Sequence, residues 1–419
     1  MKKGKIFVSA LLAAVTLFSV TVTVGCGDKD VLRIYNCDDY IDEALLKDFE
    51  TYYQDKTGKT VKVEYSTFPT PEDAYNNLKI SKGHYDLVCP SDYMIEKMAR
   101  EDMLEKIEMP ADGFYNTNVS PFIKQTFSDI KWGDGESLSD YAAGYMWGTL
   151  GLVYNTAKVS AEEMSTWSAL WDQKYNHKFT IKDSVRDTYF VGLAKYYAKD
   201  LEAAKTLTDA GAYQAKLKEL FNDTSDATVK AVKKELLSLK AAALKLEVDD
   251  GKEDIIKGDS DIYFAWSGDA VYAMDTAEES NVTLEYSVPE EGSNVWFDGW
   301  CIPKGSDMKD AAIEFIDFLS KPENAIRNMD YIGYVSVIAG SEVFAYVKKN
   351  YEEADGKLSS DLSYFFGSGE YKINYGNPYG KFAAQYPDKD VIGRCVVMNY
   401  FPEEANKRIN DMWADVKIG

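Results

Sequence analysis

The strongest constraint on the fold is an alternation of short β-rich and helical segments that begins at residue 31. Residues 31–36 form a β-rich run, and residues 44–53 space Leu45, Leu46, Phe49, Tyr52 and Tyr53 as a helix does. Residues 61–66 alternate as a strand. Residues 70–80 are predicted helical, with Thr70 as a capping residue and Pro71 just inside. Residues 85–91 read as a third strand that stops at Pro90, and residues 93–100 as the next helix. Strands joined by helices predict an α/β lobe with a mostly parallel sheet.

A second set follows. Residues 144–155 are a long apolar β run that crosses from one lobe to another. Beyond it come a short helix at 166–171, a strand at 179–182, a helix at 187–199 and helical stretches to about residue 246. Residues 261–266 lead as a strand into Ser267-Gly268-Asp269 and a helix. Strands at 284–288 and 295–303 carry the chain back toward the first lobe, and 309–319 is helical. Residues 350–390, rich in Tyr, Gly, Ser and Asp, read as a surface excursion, and 403–416 as a last helix. No repeat or Pro-rich linker separates the lobes, so direct crossovers join them.

Composition narrows the function. A chain of 419 residues is long for one core. Its 45% hydrophobic content is too high for a disordered acidic chain. A net charge of −22 argues against nucleic acid, whose phosphates require a Lys/Arg footprint. The two histidines, His84 and His177, are too few for a multi-His metal or catalytic centre. GxGxxG, P-loop, HExxH and GxSxG motifs are absent. No enzymatic activity, cofactor or metal is expected.

The N-terminus carries Lys2, Lys3 and Lys5, an uncharged apolar stretch over 6–20, and Thr23-Val-Gly before Cys26. It resembles a bacterial lipoprotein signal. That resemblance implies removal of residues 1–25, acylation of Cys26 and a tether over 26–30, with a plain secretory signal as the alternative. Such a product sits in the cell envelope, in the periplasm or on the outer face of the cytoplasmic membrane. Cys37, Cys89, Cys301 and Cys395 form no CxxC pair and read as buried free thiols, a disulfide staying open.

Acids and aromatics recur together at predicted strand ends. The clusters are Asp38-Asp39-Tyr40, Ser91-Asp92-Tyr93, Asp183 to Asp187, Trp266 to Asp269, and Trp296-Phe-Asp298. In open α/β sheets ligands sit beyond the carboxyl ends of strands, and inter-lobe clefts are the other common location. Taken singly, each cluster is a helix-capping acid beside a core aromatic. Together they suit an organic cation, whose ammonium groups gain charge-assisted bonds from Asp and cation–π attraction from the rings.

In this order the clusters resemble the spermidine/putrescine-binding proteins of ABC importers, of the type II periplasmic-binding fold. The motifs are Tyr35-Asn-Cys-Asp-Asp-Tyr-Ile41, Tyr85-Asp-Leu-Val-Cys-Pro-Ser91, Tyr145-Met-Trp-Gly148, Trp167-Ser-Ala-Leu-Trp171, Ala265-Trp-Ser-Gly-Asp269, Pro289-Glu-Glu-Gly292 and Val295-Trp-Phe-Asp298. The resemblance implies a polyamine ligand, an ABC permease as partner and two lobes about a cleft. Lobe 1 would comprise 31–148 and 295–338, and lobe 2 would comprise 149–294 and 339–419. Tyr40, Trp266 and Trp296 would be aromatic walls, Tyr93 would line the first-lobe side, and Ser91 would offer a hydroxyl. Asp298 would meet an amine near the ligand's middle and Asp187 a terminal amine. Asp39, with Asp38 beside it, would stand at the other end. Asp269 falls where putrescine-preferring members carry Asp. Cys37 replaces a usual Trp, Ser184 a usual acid, and Met398 aligns near a late Gln. The chain is expected to act as a monomer. Another small solute, an exported carboxylate-dependent hydrolase and a surface adhesin remain the alternatives.

Overall fold

The computed structural model describes residues 30–419 except 82, 83 and 134, so the export signal and Cys26 lie outside the described residues. Val31–Cys37 is the centre of a three-stranded parallel sheet, between Lys62–Phe68 and Leu87–Val88. The helix Ala44–Thr57 buries Leu45, Leu46, Phe49 and Tyr53, the apolar stripe that its spacing predicts. The helix Pro71–Ser81 opens as expected, with Thr70 Oγ accepting from the Asp73 N–H at 3.2 Å. Bridges from Val88 to Cys301 and from Ser91 to Asp298 join this sheet to the strand Ser293–Trp300.

The long strand Ala143–Asn155 is buried at every residue, which accounts for its unbroken apolar sequence. Its first half pairs antiparallel with 295–300, and its second half pairs antiparallel with Ile262–Trp266. One strand therefore serves both lobes, and Ser293–Trp300 makes the return crossing. On the second-lobe side, Phe179–Lys182 lies parallel between Ile262–Trp266 and Lys245–Glu247. Leu284–Ser287 adds antiparallel to the long strand. The result is a mixed sheet flanked by helices.

Local differences have local causes. Leu246, expected within helical sequence, lies in the short strand Lys245–Glu247, because a free sheet edge beside Phe179–Lys182 outweighs helix propensity there. The helix expected over 187–199 starts earlier, as Val185–Tyr196, with Ser184 as its cap. Residues 350–390 are more than an excursion. A hairpin of Leu358–Asp361 with Lys372–Tyr375 carries fully buried Leu362, Phe365 and Ile373. These share a core with Val119, Ile123 and Phe127 of the first lobe. Burying each such side chain contributes roughly 1.5–3 kcal/mol, so this segment packs as core on the first-lobe side. Tyr and Gly richness masked its apolar content. Residues from Val396 onward, including the helix Glu403–Ile418, pack on the second-lobe core.

Candidate functional site

Four strands end at one place. Val31–Cys37 delivers Asp38, Asp39 and Tyr40, and the segment after Leu87–Val88 delivers Ser91 and Tyr93. Phe179–Lys182 delivers Ser184 and Asp187, and Ile262–Trp266 delivers Trp266 and Asp269. With Trp296 and Asp298 from the return strand, all ten sequence-predicted residues line one cavity of about 230 Å³ between the lobes.

Asp298 is aimed by a backbone irregularity. The pairing register shifts between Phe297 and Gly299, leaving Asp298 on a bulge that turns its side chain into the cavity. The carboxylate accepts from Tyr40 Oη at 2.7 Å and from the Ser91 hydroxyl. Burial pushes its carboxyl up to about 6, against the lowering effect of those two hydroxyls. Among the described residues it forms no ion pair. Asp187 is also buried. Burial raises its carboxyl, against hydrogen bonds from Ser184 and Trp266 and the positive charges of Lys182 and Arg186.

Asp38 and Asp39 sit exposed at the mouth, Asp39 with a left-handed φ of 49° that Asp tolerates better than most residues. Tyr40, Trp296 and Tyr334 form an aromatic group, with Tyr334 ring centroids 5.0 Å from Tyr40 and 5.7 Å from Trp296. Two glycines make room for it. A Cβ at Gly148 would lie 2.6 Å from the Trp296 ring, and one at Gly268 would lie 2.2 Å from that of Tyr334.

Asp269 differs from the other carboxylates. Its Oδ1 accepts from Tyr334 Oη at 2.7 Å, and its Oδ2 accepts from Tyr263 Oη at 2.9 Å and Lys182 Nζ at 3.3 Å. Burial alone would raise this carboxyl; Lys182, Lys252 and the two hydroxyls reverse the shift to a net lowering.

The sequence reading missed several lining residues. Lys182 ends a strand, where only its burial distinguishes it. Tyr334 follows a helix end with no motif. Asp92 stands in a cluster that the sequence singled out but was given no role there; it accepts from the N–H groups of Tyr93 at 2.6 Å and Phe297 at 3.2 Å, tying two elements together, and burial pushes its carboxyl up to about 8. Arg186 lies within a cluster already singled out for its acids. Its guanidinium stacks 4.3 Å from the Tyr93 ring centroid and 3.7 Å from that of Phe401, and donates to Asn399 O at 2.6 Å. The Tyr93 contact links the lobes across the cleft. Asn294 is buried with an Oδ1 that has no hydrogen-bond partner among the described residues. Cys37 is half-buried, not buried as expected; it and Cys89, Cys301 and Cys395 are free thiols.

A two-lobed α/β body with paired crossing strands and a cavity lined by carboxylates and aromatic rings between the lobes is the architecture of a solute-binding protein. Residues 44–353 match the profile of the bacterial extracellular solute-binding protein family, and the chain belongs to that family. The spermidine/putrescine-binding periplasmic protein of Salmonella typhimurium is 28% identical over 326 residues, covering 77% of this chain and 82% of that protein. A putrescine-binding periplasmic protein of Pseudomonas aeruginosa is 26% identical, covering 79% and 84%. Among solved structures, a putative spermidine/putrescine ABC transporter protein from Listeria monocytogenes superposes with a TM-score of 0.69 at 26% identity, over 93% of this chain and 99% of that one. A lipoprotein of Treponema pallidum shares the fold, with a TM-score of 0.66 at 20% identity over 93% of this chain and all of its own. Family and fold are those of solute-binding proteins. Among the described residues no helix is long and apolar enough to cross a membrane.

Proposed function

We propose that this protein captures a polyamine such as putrescine or spermidine outside the cytoplasm and delivers it to an ABC importer. The observation that carries the reading is Asp298, a buried carboxylate held by two hydroxyls and by no cation among the described residues, beside the Tyr40, Trp296 and Tyr334 rings. A buried unpaired carboxylate is costly, and an incoming ammonium compensates it. The rings add roughly 0.5–2 kcal/mol each where they face the cation. Asp187 takes a second amine, and Asp38 and Asp39 attract cations to the mouth. Closure turns on the two crossing strands near 148–150 and 293–295, and the closed form is what the permease engages.

The relatives' polyamine specificities support this reading. It is tested by calorimetric titration with putrescine, cadaverine, spermidine and spermine. A specific ligand at one hundred times Kd should add about 2.7 kcal/mol to unfolding stability. Silence from all four amines would remove the reading. Residues 1–25 and Cys26 fit an acylated anchor, and the protein acts as a monomer on that tether. Mass spectrometry of the mature protein should find a diacylglyceryl group on an N-terminal Cys26; a mature N-terminus without it would rule out the thioether anchor.

A further inference from the structure

Lys182 is an unusual cavity residue. Its side chain is fully buried at the end of Phe179–Lys182, yet it lines the cavity. Its Nζ donates to Tyr263 Oη at 2.7 Å, Val248 O at 2.8 Å and Asp269 Oδ2 at 3.3 Å, so all three of its protons have acceptors. The same Nζ lies 4.1 Å from the Trp266 ring centroid. Glu247 Oε1 stands 3.5 Å away. These partners, a carboxylate, a tyrosine hydroxyl, a carbonyl and an indole face, are what a bound ammonium group takes.

Resting on the polyamine reading, we propose that Lys182 is a tethered internal cation that permanently occupies the Trp266–Asp269 end of the cavity and thereby sets which amines fit. The site then accepts a short amine whose charges reach Asp298 and Asp187. A further ammonium directed at Asp269 gains nothing there and is repelled by Lys182. Asp269, which the sequence reading counted as a ligand contact, is on this view a partner of the protein's own lysine. Asp298 and Asp269 differ accordingly: the first has hydroxyl donors alone, the second has hydroxyls plus an ammonium.

The test is the ratio of spermidine to putrescine affinity in the full chain and in Lys182→Met, which keeps the unbranched side chain up to its terminal atom and removes its charge. The proposal expects that ratio to rise at least about tenfold, equivalent to one added charge-assisted contact. In wild type, Asp269→Asn should change that ratio by less than about threefold, far less than in the Lys182→Met background, because no ligand amine reaches Asp269 while Lys182 is present. In Lys182→Met/Asp269→Asn the ratio should return to that of wild type. An unchanged ratio in Lys182→Met, or an equal fall of the ratio on Asp269→Asn with and without Lys182, overturns the proposal. If Lys182→Met does not fold, Lys182→Gln, which removes the charge and keeps a hydrogen-bond donor, takes its place in both comparisons. If wild type binds neither amine, the polyamine reading fails. The tethered-cation proposal then falls as well unless folded Lys182→Met acquires amine binding, which would sustain it.

Discussion

Replacing Asp298 by Asn should weaken ligand binding and stabilise the ligand-free protein, two effects of opposite sign from one atom. The carboxyl moves from an ordinary 3.8 to about 6 on folding, chiefly through burial. Holding it ionised at neutral pH therefore costs about 3 kcal/mol of folding stability. The sign follows from proton binding. Between these two values the folded protein holds a proton that the unfolded chain does not. The penalty is thus fully present above pH 6 and is relieved as pH falls toward 4. Asn removes the charge and still offers an oxygen to Tyr40 Oη. Ligand-free Asp298→Asn should gain roughly 1–3 kcal/mol at pH 7.5 and nothing near pH 4. Binding should move the other way, because a desolvated ammonium loses its charged partner at a cost of about 2–5 kcal/mol. Denaturant unfolding at the two pH values and calorimetric titration at pH 7.5 read both quantities. A variant less stable than wild type at pH 7.5, or one with unchanged affinity, would refute the reasoning.

The other expectations are narrower. Wild-type polyamine affinity should fall as pH drops through about 6, approaching tenfold per pH unit below it, because binding needs Asp298 ionised; a flat profile from pH 7.5 to 5 counts against this assignment. Gly268→Ala forces a Cβ to within 2.2 Å of the Tyr334 ring and should cost about 1–3 kcal/mol in denaturant unfolding while loosening the bond to Asp269. Trp266→Ala removes the ring under Lys182 and the hydrogen bond to Asp187, and should lower both affinity and stability, the latter by about 3 kcal/mol. Trp266→Phe should recover most of the stability, which unfolding measurements will show.

Much of the scaffold was legible because its signals are local. The helix Ala44–Thr57 follows from apolar residues at a spacing of three and four, and Ala143–Asn155 from an unbroken apolar run. Strand ends in such sheets face a common side, which marked the acid and aromatic clusters, and the family resemblance picked the ten cavity residues within them. Residues 350–390 were misread, since Leu362, Phe365 and Ile373 are separated by polar and glycine residues and become core only against Val119 and Ile123. Tyr334 carried no signal, because its place beside Tyr40 depends on Gly268, distant in sequence.

By itself the sequence determined the alternation of strands and helices, the acidic and aromatic clusters at the strand ends, and the scarcity of histidine. Each is a property of neighbours along the chain. The charge state and role of each carboxylate were decided only by the tertiary structure. Asp269 and Asp298 look alike as residues after or within a strand. One is paired with Lys182, 87 positions away, and its carboxyl is held low. The other sits on a bulge among hydroxyls and is pushed up by burial. Desolvation and charge pairing act through space, so identical side chains acquire different chemistry once the chain folds.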